Sequence, residues 1–159
     1  MSHVYLGLGS NIGDKENFIK KALDRISKLS TIQKISPLYL TEPVGPIVQE
    51  WFLNCVVVIE TEHDPMTLLT SLKSIERTLG RKKTVKAGPR CIDIDILFYD
   101  DRIMTTRKLV IPHPLLHERL FVLQPMMDLA PHYIHPLLKK SIQELYKSRS
   151  WSEKVVLYK

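Results

Sequence analysis

The stretch KAGPRCIDIDILFYD, residues 86–100, decides the fold. Ile92, Ile94, Ile96 and Phe98 alternate as the apolar side of a buried strand, and Asp93 and Asp95 fall between them. Side chains on a strand repeat with period two, so both carboxylates share one face, rooted about 6.6 Å apart. Two solvent-facing acids on the open side of a sheet fit this spacing. So do two acids gathered around divalent cations, which would relieve the repulsion between them. Gly88-Pro89-Arg90 favours the second reading, because it fixes a turn and delivers a guanidinium to the start of the strand.

Upstream, the chain alternates strands with helices. Tyr5, Leu6 and Leu8 open a first strand, expected to close at the glycines of GLGSNIGD. Asp14 is a candidate N-cap for a helix with an apolar stripe at Phe18, Ile19, Ala22, Leu23, Ile26 and Leu29. Residues 32–40 read as a second strand whose Pro37 marks an edge or bulge. TEPVGP (41–46) reads as a loop, and FLNCVVVIETE (52–62) as a long β-branched strand. A second helix is bounded by Asp64 as N-cap, Pro65 in its first turn and Gly80 past its end. Its buried stripe is Leu68, Leu69, Leu72, Ile75 and Leu79. Beyond YDDR, prolines are expected to break residues 109–131 into helical turns and short extended pieces. Ser141 and Glu144 fit a capping box, and VVLY (155–158) a terminal strand. The order β-α-β-β-α-β followed by extra helices predicts an α+β sandwich of ferredoxin-like type.

At 159 residues the chain is expected to form a single domain, residues 1–159, with a substantial core. Its 44% hydrophobic and 25% charged content is that of a globular protein, with no run of transmembrane length. The first residues lack a basic region and a cleavage site, so no secretion signal is read and the cytoplasm is expected. Cys55 and Cys91 have no CxxC spacing and are expected as reduced, buried thiols. The net charge of +6 is moderate, but Arg77, Arg81, Lys82, Lys83, Lys86 and Arg90 follow one another without an acid between them. Such a run forms a solvated face in most proteins. Leading into paired carboxylates, it also suits a polyphosphate with its metal ions.

Other residues carry two readings each. Gly7, Gly9 and Gly13 do not make G-x-G-x-x-G, and no Gly-Lys-Ser/Thr follows, so a tight turn near the site is expected there rather than a phosphate cradle. Asn54, in an apolar strand, either satisfies a neighbouring backbone group or reads the amide edge of a flat heterocycle. Phe52 on the same face, and Phe121, are either core or the walls of a stacking slot. His113, in I-P-H-P, is either structural or a ligand contact, and no His/Cys metal site is expected.

Taken together, these residues resemble the 6-hydroxymethyl-7,8-dihydropterin pyrophosphokinase family of the folate pathway. Lys86 to Leu97 meets that family's signature at each constrained position. The resemblance extends over GLGSNIGD, TEPVGP…FLN, IER…GR and IPHP…R-x-F, from residue 3 to about residue 131. It implies a ferredoxin-like αβα sandwich with a central, mainly antiparallel sheet. It also implies transfer of the diphosphate of ATP to the pterin hydroxymethyl group, with AMP released and two Mg²⁺ ions held by Asp93 and Asp95. By the same resemblance Arg81 and Arg90 join the aspartates as catalytic residues. Glu76, Lys83, Lys86, Arg90, Ile96, His113 and Arg119 would bind the nucleotide, Glu76 near its sugar. Thr41, Val44, Phe52, Asn54, Arg90 and Phe121 would bind the pterin. The expected partners are these two small molecules, with no nucleic acid and no membrane, and a monomer is expected. The chain departs from some members at Ala87, where they carry Trp, and at Lys83 and Lys86, where they carry arginines; its basic loop is also one residue shorter. Lysine lacks the planar fork of arginine, so phosphate contacts there differ.

Two rivals predict other behaviour. Another two-metal nucleotidyl or phosphoryl transferase would have no use for Asn54 between aromatic rings. A non-enzymatic RNA-binding module would want exposed aromatics on the central strands, where Asp93 and Asp95 would repel phosphates.

Overall fold

The computed structural model describes residues 1–82 and 88–159. The chain begins with β1 (Ser2–Ser10), whose apolar Val4, Leu6 and Leu8 alternate with Tyr5, Gly7 and Gly9. Asp14 then accepts a hydrogen bond from the Asn17 N–H at 3.2 Å and starts α1 (Lys15–Leu29). The expected second strand is split. Thr31–Ile35 forms β2 and Tyr39–Thr41 forms β3, separated by the segment that contains Pro37, which has no N–H for the ladder. After β4 (Phe52–Thr61), Asp64 caps α2 (Pro65–Thr78) by accepting from Thr67 N at 2.9 Å, and Gly80 past its end takes φ of 101°. β5 (Asp93–Tyr99) carries the two acids.

All the pairings are antiparallel, and the large sheet runs β5-β1-β4-β3, with β2 also against β4. With β2 and β3 taken as one interrupted strand, this is the ferredoxin-like order, in which each βαβ unit is split by a strand between its two ends. Val4, Leu6, Leu8, Leu53, Cys55, Val57, Ile59, Ile94 and Ile96 face α1 and α2, where they meet Ile19, Ala22, Ile26, Leu68, Leu72 and Ile75. The other face is covered from later in the chain. After a short hairpin of β6 (Met104–Thr105) and β7 (Val110–Ile111), α3 (Leu120–Leu129) and α4 (Ile142–Lys147) pack Leu123, Met126, Ile142 and Leu145 onto Val56, Leu97 and Phe98. The αβα sandwich is therefore built by two separate apolar cores, one on each face of the sheet.

Three local expectations change. Phe98 does not share a core with Ile94 and Ile96. The register passes from Tyr5↔Phe98 to Leu6↔Ile96, so Leu97 is an extra residue, and this bulge turns Phe98 onto the α3 face. Proline does not break the segment after residue 119, because α3 continues through Pro125 and gives up only the backbone bond that proline cannot donate. Cys91 is half-buried rather than buried, while Cys55 is buried; both thiols are free. The C-terminal readings match the structure. Ser141 and Glu144 form the reciprocal capping box of α4, and Val155–Leu157 forms β8 against β3.

Replacing the cap of α2, Asp64→Ala, is expected to lower the unfolding free energy by about 1 kcal/mol in urea denaturation. An unchanged midpoint would show that the Asp64–Thr67 bond contributes nothing.

Candidate active site

One row of paired residues crosses the sheet and sets out the site. Asp93 on β5 pairs with Gly9 on β1, Gly9 pairs with Asn54 on β4, and Asn54 pairs with Tyr39 on β3. Residues in such a row point to one face, here the α3 face. The next row holds Asp95, Gly7 and Val56. α3 covers this face only in part, and the uncovered part is a pocket lined by Gly7, Gly9, Thr41, Val44, Phe52, Asn54, Arg90, Asp93, Asp95, Arg119 and Phe121, among others.

Of the glycines of GLGSNIGD, Gly13 lies in the turn after β1 at φ of 70°, whereas Gly7 and Gly9 lie inside the strand. They form the floor of the pocket. A Cβ on Gly9 would collide with Asn54 Oδ1 and stand 3.6 Å from the Phe52 ring, and a Cβ on Gly7 would touch Leu97 at 3.5 Å. Sequence reading missed this role, although Gly7 and Gly9 stand two apart, the same period that marked Asp93 and Asp95.

At one end of the floor Asn54, 7% exposed, donates through Nδ2 to Thr41 Oγ1 at 2.5 Å. That bond orients the amide with Oδ1 over Gly9. Phe52 and Phe121 line the same pocket, and the exposed Val44 stands at its rim. Phe121 belongs to the first turn of α3, which Tyr39 ties to the sheet by donating to Asp128.

Charges collect at the other end. Asp93 Oδ1 meets Arg81 Nη1 at 2.8 Å, and its Oδ2 meets Arg90 Nη1 at 3.4 Å. Asp95 is partly buried. That burial first, and the neighbouring Asp93 carboxylate second, push its carboxyl up to about 7. Among the described residues no third His, Cys, Asp or Glu joins the pair in a metal-binding group. Two carboxylates without an all-protein cage fit Mg²⁺, which keeps several waters and takes phosphate oxygens as further ligands. The donor set therefore suits the metal that the family resemblance implies.

His113 is drawn to β5 by its backbone N–H, which donates to Leu97 O at 3.0 Å. Burial first, and Arg119 second, lower its pKa to about 4, so the ring is neutral at neutral pH. Its Nδ1 accepts from Leu115 N at 3.2 Å, which leaves the proton on Nε2. The Arg119 guanidinium lies 5.5 Å from the centroid of the Phe121 ring, a cation–π contact at the boundary between the two ends of the pocket.

Two expected nucleotide contacts have other surroundings. The Ile96 side chain is buried against α1 and α2, on the face opposite the acids, so only its backbone is near the pocket side. Glu76 is 3% exposed and engaged on both oxygens within the protein. Lys83 and Lys86 lie outside the described residues.

Asn11 was not read from the sequence. It is 1% exposed and donates through Nδ2 to Gln49 Oε1 at 2.8 Å and Glu50 O at 3.0 Å. It also exchanges bonds with Arg90, whose N–H reaches Asn11 Oδ1 at 2.9 Å and whose carbonyl accepts from Asn11 N at 3.1 Å. One buried amide thereby joins the end of β1, the loop before β4 and the turn that carries Arg90.

Comparison with known proteins places the chain in a family. The model described as 7,8-dihydro-6-hydroxymethylpterin-pyrophosphokinase (HPPK) matches residues 5–131. The chain is 42% identical over 144 residues to the 2-amino-4-hydroxy-6-hydroxymethyldihydropteridine pyrophosphokinase of Aquifex aeolicus, covering 91% of this chain and 90% of that one. It is 46% identical over 142 residues to the folic acid synthesis protein fol1 of Schizosaccharomyces pombe; that match covers 88% of this chain and 19% of the longer protein. A solved structure of an HPPK-DHPS in complex with substrates superposes with a TM-score of 0.73 at 19% identity, over 92% of this chain and 42% of that one, which supports the fold. By the family model and by the Aquifex relative alike, the chain belongs to the 7,8-dihydro-6-hydroxymethylpterin-pyrophosphokinase family.

Proposed function

We propose that this chain, a pyrophosphokinase of folate biosynthesis, transfers the diphosphate of ATP to the hydroxymethyl oxygen of 6-hydroxymethyl-7,8-dihydropterin and releases AMP. The observation that carries this reading is the row Asp93–Gly9–Asn54, which puts a carboxylate end and an amide-and-aromatic end in one pocket on one face of the sheet. Neither a nucleotidyl transferase nor an RNA-binding module would need the second end.

Asn54, oriented by Thr41, reads the amide edge of the pterin, while Phe52 and Phe121 take its faces and Val44 closes the rim. Gly7 and Gly9 let the ring approach the sheet. Arg90, at the junction, serves both substrates. Asp93 and Asp95 are the residues that would hold two Mg²⁺ ions, whose charge neutralises and orients the triphosphate. Arg81, Arg90 and Arg119 supply guanidiniums to the phosphate oxygens, and the Nε2–H of neutral His113 donates to the nucleotide. Lys83 and Lys86 act as supporting cations. The attack is on the β-phosphorus, and the protein contributes position and charge rather than covalent chemistry. Residues 1–159 act as one domain, a monomer in the cytoplasm. Among the described residues no helix is long and apolar enough to cross a membrane.

Incubation with ATP, Mg²⁺ and 6-hydroxymethyl-7,8-dihydropterin is expected to give AMP and the pterin diphosphate in equal amounts. ADP in place of AMP would overturn attack at the β-phosphorus. No pterin-dependent product from folded protein would overturn the reading itself.

Asn54→Ala is expected to weaken pterin binding about tenfold or more, leaving ATP binding within about twofold. Gly9→Ala should reproduce this loss by displacing the Asn54 amide. Equal losses for both substrates would remove Asn54 from the pterin slot.

Asp95 binds its proton more tightly in the folded chain than at its ordinary value of 3.8. Its contribution to stability is therefore present below about pH 4 and is lost as pH rises through about 7. Without Mg²⁺, the melting temperature of Asp95→Asn minus that of the wild type should rise across this window. A flat difference would show that Asp95 has an ordinary pKa.

A further inference from the structure

β8 (Val155–Leu157) pairs with the outer side of β3 yet buries little. Val156 is 52% exposed and Leu157 62%, so apolar packing is not what holds them there. Hydrogen bonds are. Glu42 N donates to Lys154 O at 2.9 Å, and Tyr158 N donates to Leu38 O at 2.8 Å. Between these bonds Val156 pairs with Leu40, and antiparallel alternation turns their backbone groups toward each other. The backbone of Leu157 then faces the other way, to the open side of the last strand of the sheet. Lys154 N also donates to Glu42 Oε1 at 3.4 Å, closing a reciprocal pair just past the end of β3. Both ends of the segment are anchored elsewhere. Trp151 Nε1 donates to Tyr146 O of α4 at 2.8 Å, and Lys159 Nζ donates to Glu16 Oε2 of α1 at 3.1 Å.

What β3 carries gives these bonds their importance. β3 has three residues, and its inner side pairs with β4 through Tyr39↔Asn54 and Thr41↔Phe52. Thr41 is 1% exposed, and its hydroxyl accepts the bond from Asn54 Nδ2 that sets the amide. The next residue, Glu42, lines the pocket and begins the loop that brings Val44 to the rim. Bonded on one side only, so short a strand would leave Thr41 and Glu42 at a frayed edge. We infer that β8 is a positioning element for the pterin end of the pocket: its bonds to Leu40 and Glu42 fix Thr41, and through Thr41 the Asn54 amide. This role presupposes that this end takes the pterin, as proposed above. β8 lies beyond residues 5–131, the part of the chain that the family model matches.

Two neighbouring proline variants separate the bond from the strand. Val156→Pro removes an N–H that faces Leu40, whereas Leu157→Pro removes one that faces away, where an edge strand tolerates proline. Each is titrated with Mg²⁺ and the α,β-methylene analogue of ATP, in which the bond that would release AMP cannot break. The loaded protein is then titrated with 6-hydroxymethyl-7,8-dihydropterin. Val156→Pro is expected to weaken pterin affinity about three- to tenfold and to leave analogue affinity within about twofold. Leu157→Pro should leave both within about twofold. By reciprocity, adding pterin to the analogue-loaded wild type should slow amide exchange at Glu42 and Tyr158 by a similar factor, followed by NMR. The analogue alone should not. Unchanged pterin affinity in Val156→Pro, equal weakening for both ligands, or equal weakening in the two variants would each overturn the inference. Where Val156→Pro does not fold, exchange in the wild type decides, and amides that the pterin leaves unprotected overturn it. A wild-type chain that takes no pterin defeats the proposed function and this role with it. One that takes the pterin without these effects defeats this role alone.

Discussion

The structure depends on what β1 lacks. This strand lies between β5 and β4, and period two obliges it to present alternate residues to opposite faces. Toward α1 and α2 it offers Val4, Leu6 and Leu8, all essentially inaccessible, and these tie the central strand to the core. Toward the other face it offers Gly7 and Gly9, which have nothing to pack. Glycine in a strand interior weakens the strand, and here the core on the opposite face offsets that cost. The hollow left behind lets side chains from β5, β4 and α3 converge without filling the space between them.

Charge is then distributed by the edges of the sheet. β5 is outermost, so its acids are paired by groups from outside the ladder. Arg81 and Arg90 hold Asp93 from the end of α2 and from the turn before the strand. Asp95 has a different environment, in which burial and the neighbouring carboxylate favour its neutral form. Two acids of the same type, two residues apart, thus stand in different surroundings: one is paired with guanidiniums, the other is held toward its neutral form. On the proposed reading, a site that collects metal and triphosphate together would benefit from this division, since neither acid would have to be stripped of the same partner.

Much of this was legible in the sequence where the deciding interactions are local. The N-caps at Asp14 and Asp64 and the capping box at Ser141 involve groups three residues apart. The D-x-D face follows from strand period alone. Residues whose partners are distant were not legible. Asn11 bonds to groups 38, 39 and 79 positions away, so nothing near it in the chain marks it as a hub. Gly7 and Gly9 look like the end of a strand because glycine locally favours turns, whereas the constraint on Gly9 is the side chain of Asn54 on the neighbouring strand. The Leu97 bulge escaped an alternation pattern that continues through it in sequence while reversing in space. Pro125 was read as a break, but a packed helix tolerates one missing bond when its apolar face is well buried.

The central claim is that one pocket has two chemically separate ends, carboxylates for the metal-bound triphosphate and an amide with aromatic walls for the pterin. Titration calorimetry on Asp95→Asn, with each substrate in turn and with and without Mg²⁺, tests it most directly. The account predicts that Mg²⁺-dependent ATP binding is lost while pterin binding stays as in the wild type. Mg²⁺-dependent ATP binding at wild-type strength in that variant would contradict it.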